Sequence, residues 1–109
     1  MKVIALPEVR IYLQNLAHTL YEKEYFGFEE TAKNYVIELF NDIKTNLSTK
    51  LHKSAPEYFD KYGKNMEYAG FRKNKNTTWY VFFTTYIENG EEIYLIRYIN
   101  NNHAIAQYL

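Results

Sequence analysis

Asn89-Gly90 separates two runs rich in aromatic and β-branched residues, WYVFFTTY from Trp79 and IYLIRYINN from Ile93. No short signal constrains a chain more toward a β-hairpin, because both residues tolerate the positive φ that a type I′ turn requires. With Asn89 and Gly90 as the central turn residues, Glu88 faces Glu91, Tyr86 faces Ile93, Phe83 faces Ile96, Phe82 faces Arg97 and Val81 faces Tyr98. Side chains alternate across a strand. Trp79, Val81, Phe83, Ile96 and Tyr98 therefore share one face and read as core. Tyr80, Phe82, Thr84, Leu95 and Arg97 share the other, an aromatic and hydroxyl-bearing surface with one guanidinium in its middle. Met66–Arg72 predicts a third strand, joined to Trp79 through the polar tip Lys73-Asn74-Lys75-Asn76.

Upstream the period changes. Lys2–Leu6 reads as a short strand stopped by Pro7, a residue suited to the first turn of a helix. Val9, Leu13, Leu16, Ala17 and Leu20 then mark one helical face, fading near Tyr25, with Gly27 at the corner. Glu29 and Glu30 open a second helix, where carboxylates complement the helix dipole. Ala32, Tyr35, Val36, Leu39, Phe40, Ile43 and Leu47 carry its apolar stripe, so the two segments predict a helical hairpin. Ser54-Ala55-Pro56-Glu57 matches a capping box and predicts a short helix ending at Gly63. His103–Leu109 fits either a last helical turn or an extended tail.

The order β-α-α-(short α)-β-β-β reads as a single α+β domain over residues 1–109: a small antiparallel sheet with the helical hairpin packed on one face. The first strand is expected at a sheet edge or beside the last strand. The helices are expected to cover the Trp79/Val81/Phe83 face and to leave the Tyr80/Phe82/Arg97 face open. An exposed edge and an open aromatic face both invite a partner.

Composition excludes several classes. Aromatic residues make up 18% of the chain, far from a disordered composition. The absence of cysteine removes disulfides, thiolate metal sites and Cys nucleophiles, and fits a reducing compartment. No signal peptide or membrane span is expected, because no apolar run approaches ~18 residues; a cytoplasmic protein is expected. The net charge is zero but unevenly spread: −3 over residues 1–43, +5 over 44–75 and −2 over 76–109. A basic middle can meet nucleic acid or an acidic protein, or can simply be solvated. Neutrality of the whole chain argues against a general nucleic-acid binder, whose affinity tracks the phosphates it neutralises.

No hydrolase, zinc-protease, Walker, dinucleotide or EF-hand motif is present. His18, His52 and His103 have no metal-ligand spacing, so neither a metal nor a cofactor is expected. The constellation worth pursuing is Arg72, Lys73 and Lys75 with Arg97 and His103, expected near one end of the sheet. Such cations can hold a phosphate, an imidazole can exchange a proton near neutrality, and Tyr80 or Tyr98 can stack a base. The plainer alternative makes Arg97 a partner for a carboxylate, Lys73 and Lys75 solubilising turn residues, and Asn100-Asn101-Asn102 a strand terminus that satisfies backbone groups.

The segments RKNKNTTWYVFF (from Arg72) and YLIRYINNNHAIAQYL (from Tyr94), following two amphipathic helices and the Ser-Ala-Pro-Glu segment, resemble toxins of the RelE/ParE superfamily. These are the toxin halves of bacterial type II toxin–antitoxin pairs. The resemblance covers the whole chain in element order. It implies a small α+β domain and a cognate antitoxin that wraps it, whose acidic or amphipathic segment is expected along the basic 44–75 band. RelE-like members cut mRNA in the ribosomal A site with Lys and Arg, and sometimes Glu, His or Tyr; ParE-like members inhibit DNA gyrase without a comparable catalytic set. By position, Arg72 and Arg97 match the family's basic strand-end residues. His103 lies where some ribosome-dependent members place a C-terminal functional residue. RelE-type nucleases are strongly basic, whereas this chain is neutral. The resemblance therefore implies a ParE-like toxin that binds an essential target such as gyrase, with Arg72, Lys73, Lys75, Tyr80, Arg97 and Tyr98 at the target surface. The alternatives are an mRNA endonuclease with Arg97 and His103 in its catalytic set, and a non-toxic binding module that keeps the fold.

Overall fold

Each predicted periodic segment forms its element in the computed structural model, which describes residues 1–23 and 26–109. The elements are β1 (Lys2–Ala5), α1 (Pro7–Glu22), α2 (Glu29–Asn46), β2 (Lys53–Ser54), β3 (Glu67–Asn74), β4 (Thr77–Glu88), β5 (Glu91–Asn101) and α3 (Asn102–Ile105). Three 3₁₀ segments, Leu47–Thr49, Glu57–Tyr62 and Ala106–Tyr108, complete the regular structure. The expected fading of the first helix near Tyr25 falls outside the described residues. No helix among them is long and apolar enough to cross a membrane.

The strands make one sheet in the order β1-β5-β4-β3-β2. The first strand lies beside the last, but parallel to it, so the sheet is mixed rather than purely antiparallel. No tight turn joins β1 to β5; most of the chain lies between them, which leaves the direction free.

Pro7 starts α1, and Val9, Leu13, Leu16 and Ala17 form its buried stripe. In α2 the stripe is Ala32, Val36, Leu39 and Ile43. Both stripes press on Ala69, Phe71, Trp79, Val81, Phe83, Tyr94, Ile96 and Ile99 of the sheet. Each large side chain buried there contributes roughly 1.5–3 kcal/mol. The Trp79 indole N–H donates to the Tyr35 hydroxyl at 2.9 Å and ties β4 to α2. The expected helical cover on the Trp79/Val81/Phe83 face is present.

At the hairpin Asn89 and Gly90 have φ of 52° and 78°, as a type I′ turn demands. Glu88↔Glu91, Tyr86↔Ile93 and Phe83↔Ile96 pair as expected. Beyond Phe83 the register shifts: Phe82 pairs with Tyr98 and Val81 with Ile99. Arg97 is the extra residue of a β-bulge. The expected pairs Phe82–Arg97 and Val81–Tyr98 are therefore displaced by one, and Tyr98 leaves the helix-side core for the opposite face, where it meets Phe59, Tyr62 and Phe82. Ile99 takes its place.

That opposite face is not open. The 3₁₀ segment Glu57–Tyr62 lays Phe59 over Phe82 with ring centroids 4.4 Å apart, and α3 adds Ile105. Phe59, Met66, Phe82 and Ile105 form a second buried core, so the chain has three layers. The capping-box reading of Ser54 also changes. Ser54 pairs with Glu67 in β2, and the Ala55 N–H donates to Met66 at 2.9 Å, extending the ladder past it. The following turn is 3₁₀ rather than α, begins after Pro56 and has no side-chain cap. The strand β3 runs on to Asn74, which shortens the predicted polar tip to Lys75-Asn76.

Candidate functional site

The residues singled out from the sequence do not gather in one place. Alternation along β3 puts Phe71 on the helix side, so Arg72 points to the other face and Lys73 back toward α2. The Lys73 ammonium lies 5.2 Å from the centre of the Tyr35 ring. The exposed Arg72 folds onto its own strand end, its Nε donating to the Asn74 carbonyl at 3.1 Å. Lys75 occupies the exposed hairpin tip.

His103 is the second residue of the single turn of α3, and its Nε2 lies 3.3 Å from Thr77 Oγ1. It borders a cavity of about 460 Å³ with Leu20, Phe26, Tyr35, Asn74 and Trp79. The neighbouring asparagines act structurally. Asn102 accepts from the Thr78 N–H at 2.9 Å and donates to the Asn76 carbonyl at 3.1 Å. Asn101 accepts from the Ala104 N–H at 3.2 Å and caps α3. Arg97 lies roughly 13 Å back along β5 from this end, at about 3.3 Å per residue. Arg97 and His103 thus occupy different neighbourhoods.

Two clefts collect chemistry. The first lies beside the free outer part of β3. Here β2 pairs only with Glu67 and Tyr68, and among the described residues no strand pairs with that outer edge of β3 from Ala69 onward. Lys50, Leu51, Lys53, Tyr68, Gly70, Arg72, Thr78 and Tyr80 bound a groove of about 300 Å³. Among the described residues Lys50, Lys53 and Arg72 line it and no carboxylate does, with the Lys50 ammonium 4.9 Å from the centre of the Phe71 ring. Gly70 is its floor; a Cβ there would stand 3.2 Å from Thr78 Cγ2 and 3.4 Å from the Tyr80 ring, tighter than ordinary contact. The Tyr68 and Tyr80 rings meet edge-on with centroids 5.9 Å apart. Cations beside half-buried aromatic rings suit a phosphate backbone with its bases, or an acidic peptide with apolar side chains.

The second cleft, about 380 Å³, opens where β1 ends and α1 begins, against the bulge of β5. Tyr12, Lys61, Tyr62, Arg97 and Tyr98 line it, with Glu8 at the start of α1. The bulge sets Arg97 and Tyr98 side by side on one face; bulges commonly re-aim side chains in this way. Tyr98 stacks on Tyr62 at 3.8 Å with the rings 6° from parallel. Arg97 Nε donates to Thr84 Oγ1 at 2.9 Å, and no described carboxylate lies within 4 Å of the guanidinium. Burial, then the nearby Tyr98, pushes the Tyr12 phenol up to about 12. The Tyr62 phenol is likewise pushed up to about 12, by burial first and then by hydrogen bonding to Tyr98. Both hydroxyls are therefore neutral donors at ordinary pH.

Sequence reasoning named Arg72 and Tyr80 of the first cleft and Arg97 and Tyr98 of the second. It did not name Lys50, Lys53 and Tyr68, or Tyr12, Lys61 and Tyr62. The basic 44–75 band held the signal for the three lysines and Tyr68; nothing local marked Tyr12, which looks like one more apolar-face residue of α1. Among the described residues no cluster of three or more His, Asp or Glu side chains has metal-binding geometry. Comparison with family models, curated proteins and solved structures finds no match to this chain.

Proposed function

We propose that this chain is the toxin component of a type II toxin–antitoxin module of the RelE/ParE kind, acting by binding an essential target such as DNA gyrase. The observation that carries the binding mode is the dispersal of the chemical groups. Lys73 and His103 both neighbour Tyr35, but Arg72 folds onto its own strand end on the other face and Arg97 stands in a separate cleft, so among the described residues the candidate base and the two guanidinium groups do not converge on one scissile phosphate as general acid–base chemistry requires. The family assignment rests on the element order and on the helical hairpin lying against one sheet face. Target contact is assigned to the groove of Lys50, Lys53, Arg72, Tyr68 and Tyr80, which has charge of one sign and an unpaired strand edge. A cognate antitoxin with an acidic segment would quench the same charges, and its affinity would fall with added salt.

The test is tightly induced expression in a bacterial culture, with incorporation of labelled DNA and protein precursors followed together. Growth arrest with DNA synthesis failing first is the expected result, and it is lost in the Lys53→Glu/Arg72→Glu double variant. Normal growth with folded protein present would leave a binding module without toxicity and overturn the proposal.

One observation favours a second reading, ribosome-dependent mRNA cleavage: the same groove offers phosphate-binding cations next to two rings that can stack bases. Under that reading translation fails first, and purified protein cuts ribosome-bound mRNA in a manner abolished by Arg72→Ala.

A further inference from the structure

The cleft at the β5 bulge has no part in that reading, and its construction calls for a ligand of its own. Arg97 is half-buried among Tyr12, Tyr62 and Tyr98, and one of its nitrogens bonds only to a neutral hydroxyl. No described carboxylate pairs with the guanidinium within 4 Å, so its charge is available to an incoming anion. No buried side-chain nitrogen or oxygen among the described residues lacks a hydrogen-bond partner. The terminal guanidinium nitrogens, which bond to no described protein group, are therefore open to the cleft and not sealed in the core. Space for the side chain is provided at Gly63, where a Cβ would come within 2.7 Å of Arg97 Cδ. The fork of a guanidinium matches a carboxylate with two parallel hydrogen bonds. Flat walls select a flat body. Glu8 at the rim opposes a dianion more strongly than a monoanion, which separates a carboxylate from a phosphate monoester.

We infer that the Tyr12/Tyr62/Arg97/Tyr98 cleft binds a small planar monocarboxylate, its carboxylate on Arg97 and its ring between Tyr12 and the Tyr62–Tyr98 stack. The same chemistry is presented by a free aromatic acid and by the C-terminal residue of a peptide ending in Phe or Tyr.

The experiment is titration of the full chain by ¹H–¹⁵N correlation spectroscopy with benzoate, benzamide, phenyl phosphate and two tripeptides ending in Phe, one with a free C-terminus and one amidated. Shifts centred on the amides of Tyr12, Tyr62, Arg97 and Tyr98 are expected with benzoate or with the free-acid peptide. The tighter of the two identifies the source. Benzamide and the amidated peptide should bind at least tenfold more weakly, and so should benzoate to Arg97→Gln, with Arg72→Gln unchanged. Lys61→Gln, which removes an exposed cation from the cleft lining 5.5 Å from the centre of the Tyr62 ring, should weaken benzoate severalfold and serves as the second variant where the 97 substitution compromises folding. Absence of shifts with every probe up to about 10 mM, weaker than useful specific binding, would overturn the inference. So would equal binding of benzamide, tighter binding of phenyl phosphate, or unchanged affinity in both variants. Loss of growth arrest in the groove variants leaves this titration unaffected, so the two proposals fail separately.

Discussion

Phe82→Ala separates a covered sheet face from an open one by a wide margin. On an open face this ring would be half-solvated, and truncation would cost at most about 1 kcal/mol. In the fold Phe82 is 0% exposed. Its ring lies 4.4 Å from Phe59, 5.3 Å from Tyr68 and 5.6 Å from Tyr98, centroid to centroid. Removing it leaves a cavity between a rigid sheet and a 3₁₀ segment fixed by the Ala55–Met66 hydrogen bond and by Gly63, so little collapse can offset the loss. A buried Phe→Ala change costs about 3–5 kcal/mol, and the three aromatic contacts place this one near the middle of that range, about 4 kcal/mol. For a domain of this size that lowers Tm by roughly 16 °C, at about 4 °C per kcal/mol. With an m-value near ~2 kcal/mol/M, the urea midpoint falls by about 2 M. Ile87→Ala, at a residue 68% exposed on the same strand, is the control and should cost under ~0.5 kcal/mol. Equilibrium urea unfolding followed by far-UV circular dichroism reads both. A Phe82→Ala loss below about 1 kcal/mol, or one equal to the Ile87 control, would refute the second core.

Three further outcomes follow from the geometry. Gly63→Ala should destabilise by about 1–3 kcal/mol because its Cβ meets Arg97 Cδ; the penalty should shrink in an Arg97→Ala background, and strict additivity in the thermal melts would count against the contact. Trp79→Phe and Tyr35→Phe each remove one partner of the 2.9 Å hydrogen bond, so a double-mutant cycle should return a coupling of about 1 kcal/mol; zero coupling would remove the bond as a tie between β4 and α2. Tyr12 and Tyr62 hold their protons up to about 12 in the fold against 10.0 for the free side chain. Between those values the folded state binds more protons than the unfolded one, so stability is complete below pH 10 and falls as pH rises toward 12. Urea midpoints measured across that window should drop less in Tyr62→Phe than in the parent, and an identical slope would refute the assignment.

Elements with their own period were legible. The spacing of Val9, Leu13, Leu16 and Ala17, and of Ala32, Val36, Leu39 and Ile43, needs only local geometry to become a buried stripe. Asn89-Gly90 likewise carries its turn in two residues. The cover over Phe82 was not legible, because it comes from Phe59 and Ile105, distant segments too short to show a period of their own. The candidate site was legible in residue type but not in grouping. Arg72 and Lys73 are neighbours in sequence, yet alternation sends them to opposite faces, and the groove around Arg72 is completed by Lys50 and Lys53 from across an unpaired edge.

The bulge at Arg97 unites these points, and a trace of it was present in the strand itself. Tyr94, Ile96 and Ile99 all face the helices. A strict two-residue alternation carries 94 and 96 to one side and 99 to the other. The chain can bury all three only by inserting a residue between Ile96 and Ile99, and the pairing of Phe82 with Tyr98 and Phe83 with Ile96 puts the insertion at Arg97. The residue that can be spared is the one least suited to either core. Its displacement turns a guanidinium toward Thr84 and Gly63, brings Tyr98 onto Tyr62, and opens the cleft at the point where β1 has already left the sheet edge. The demand of the helix-side core for Ile99 thus generates the cation-bearing aromatic cleft on the other side of the strand.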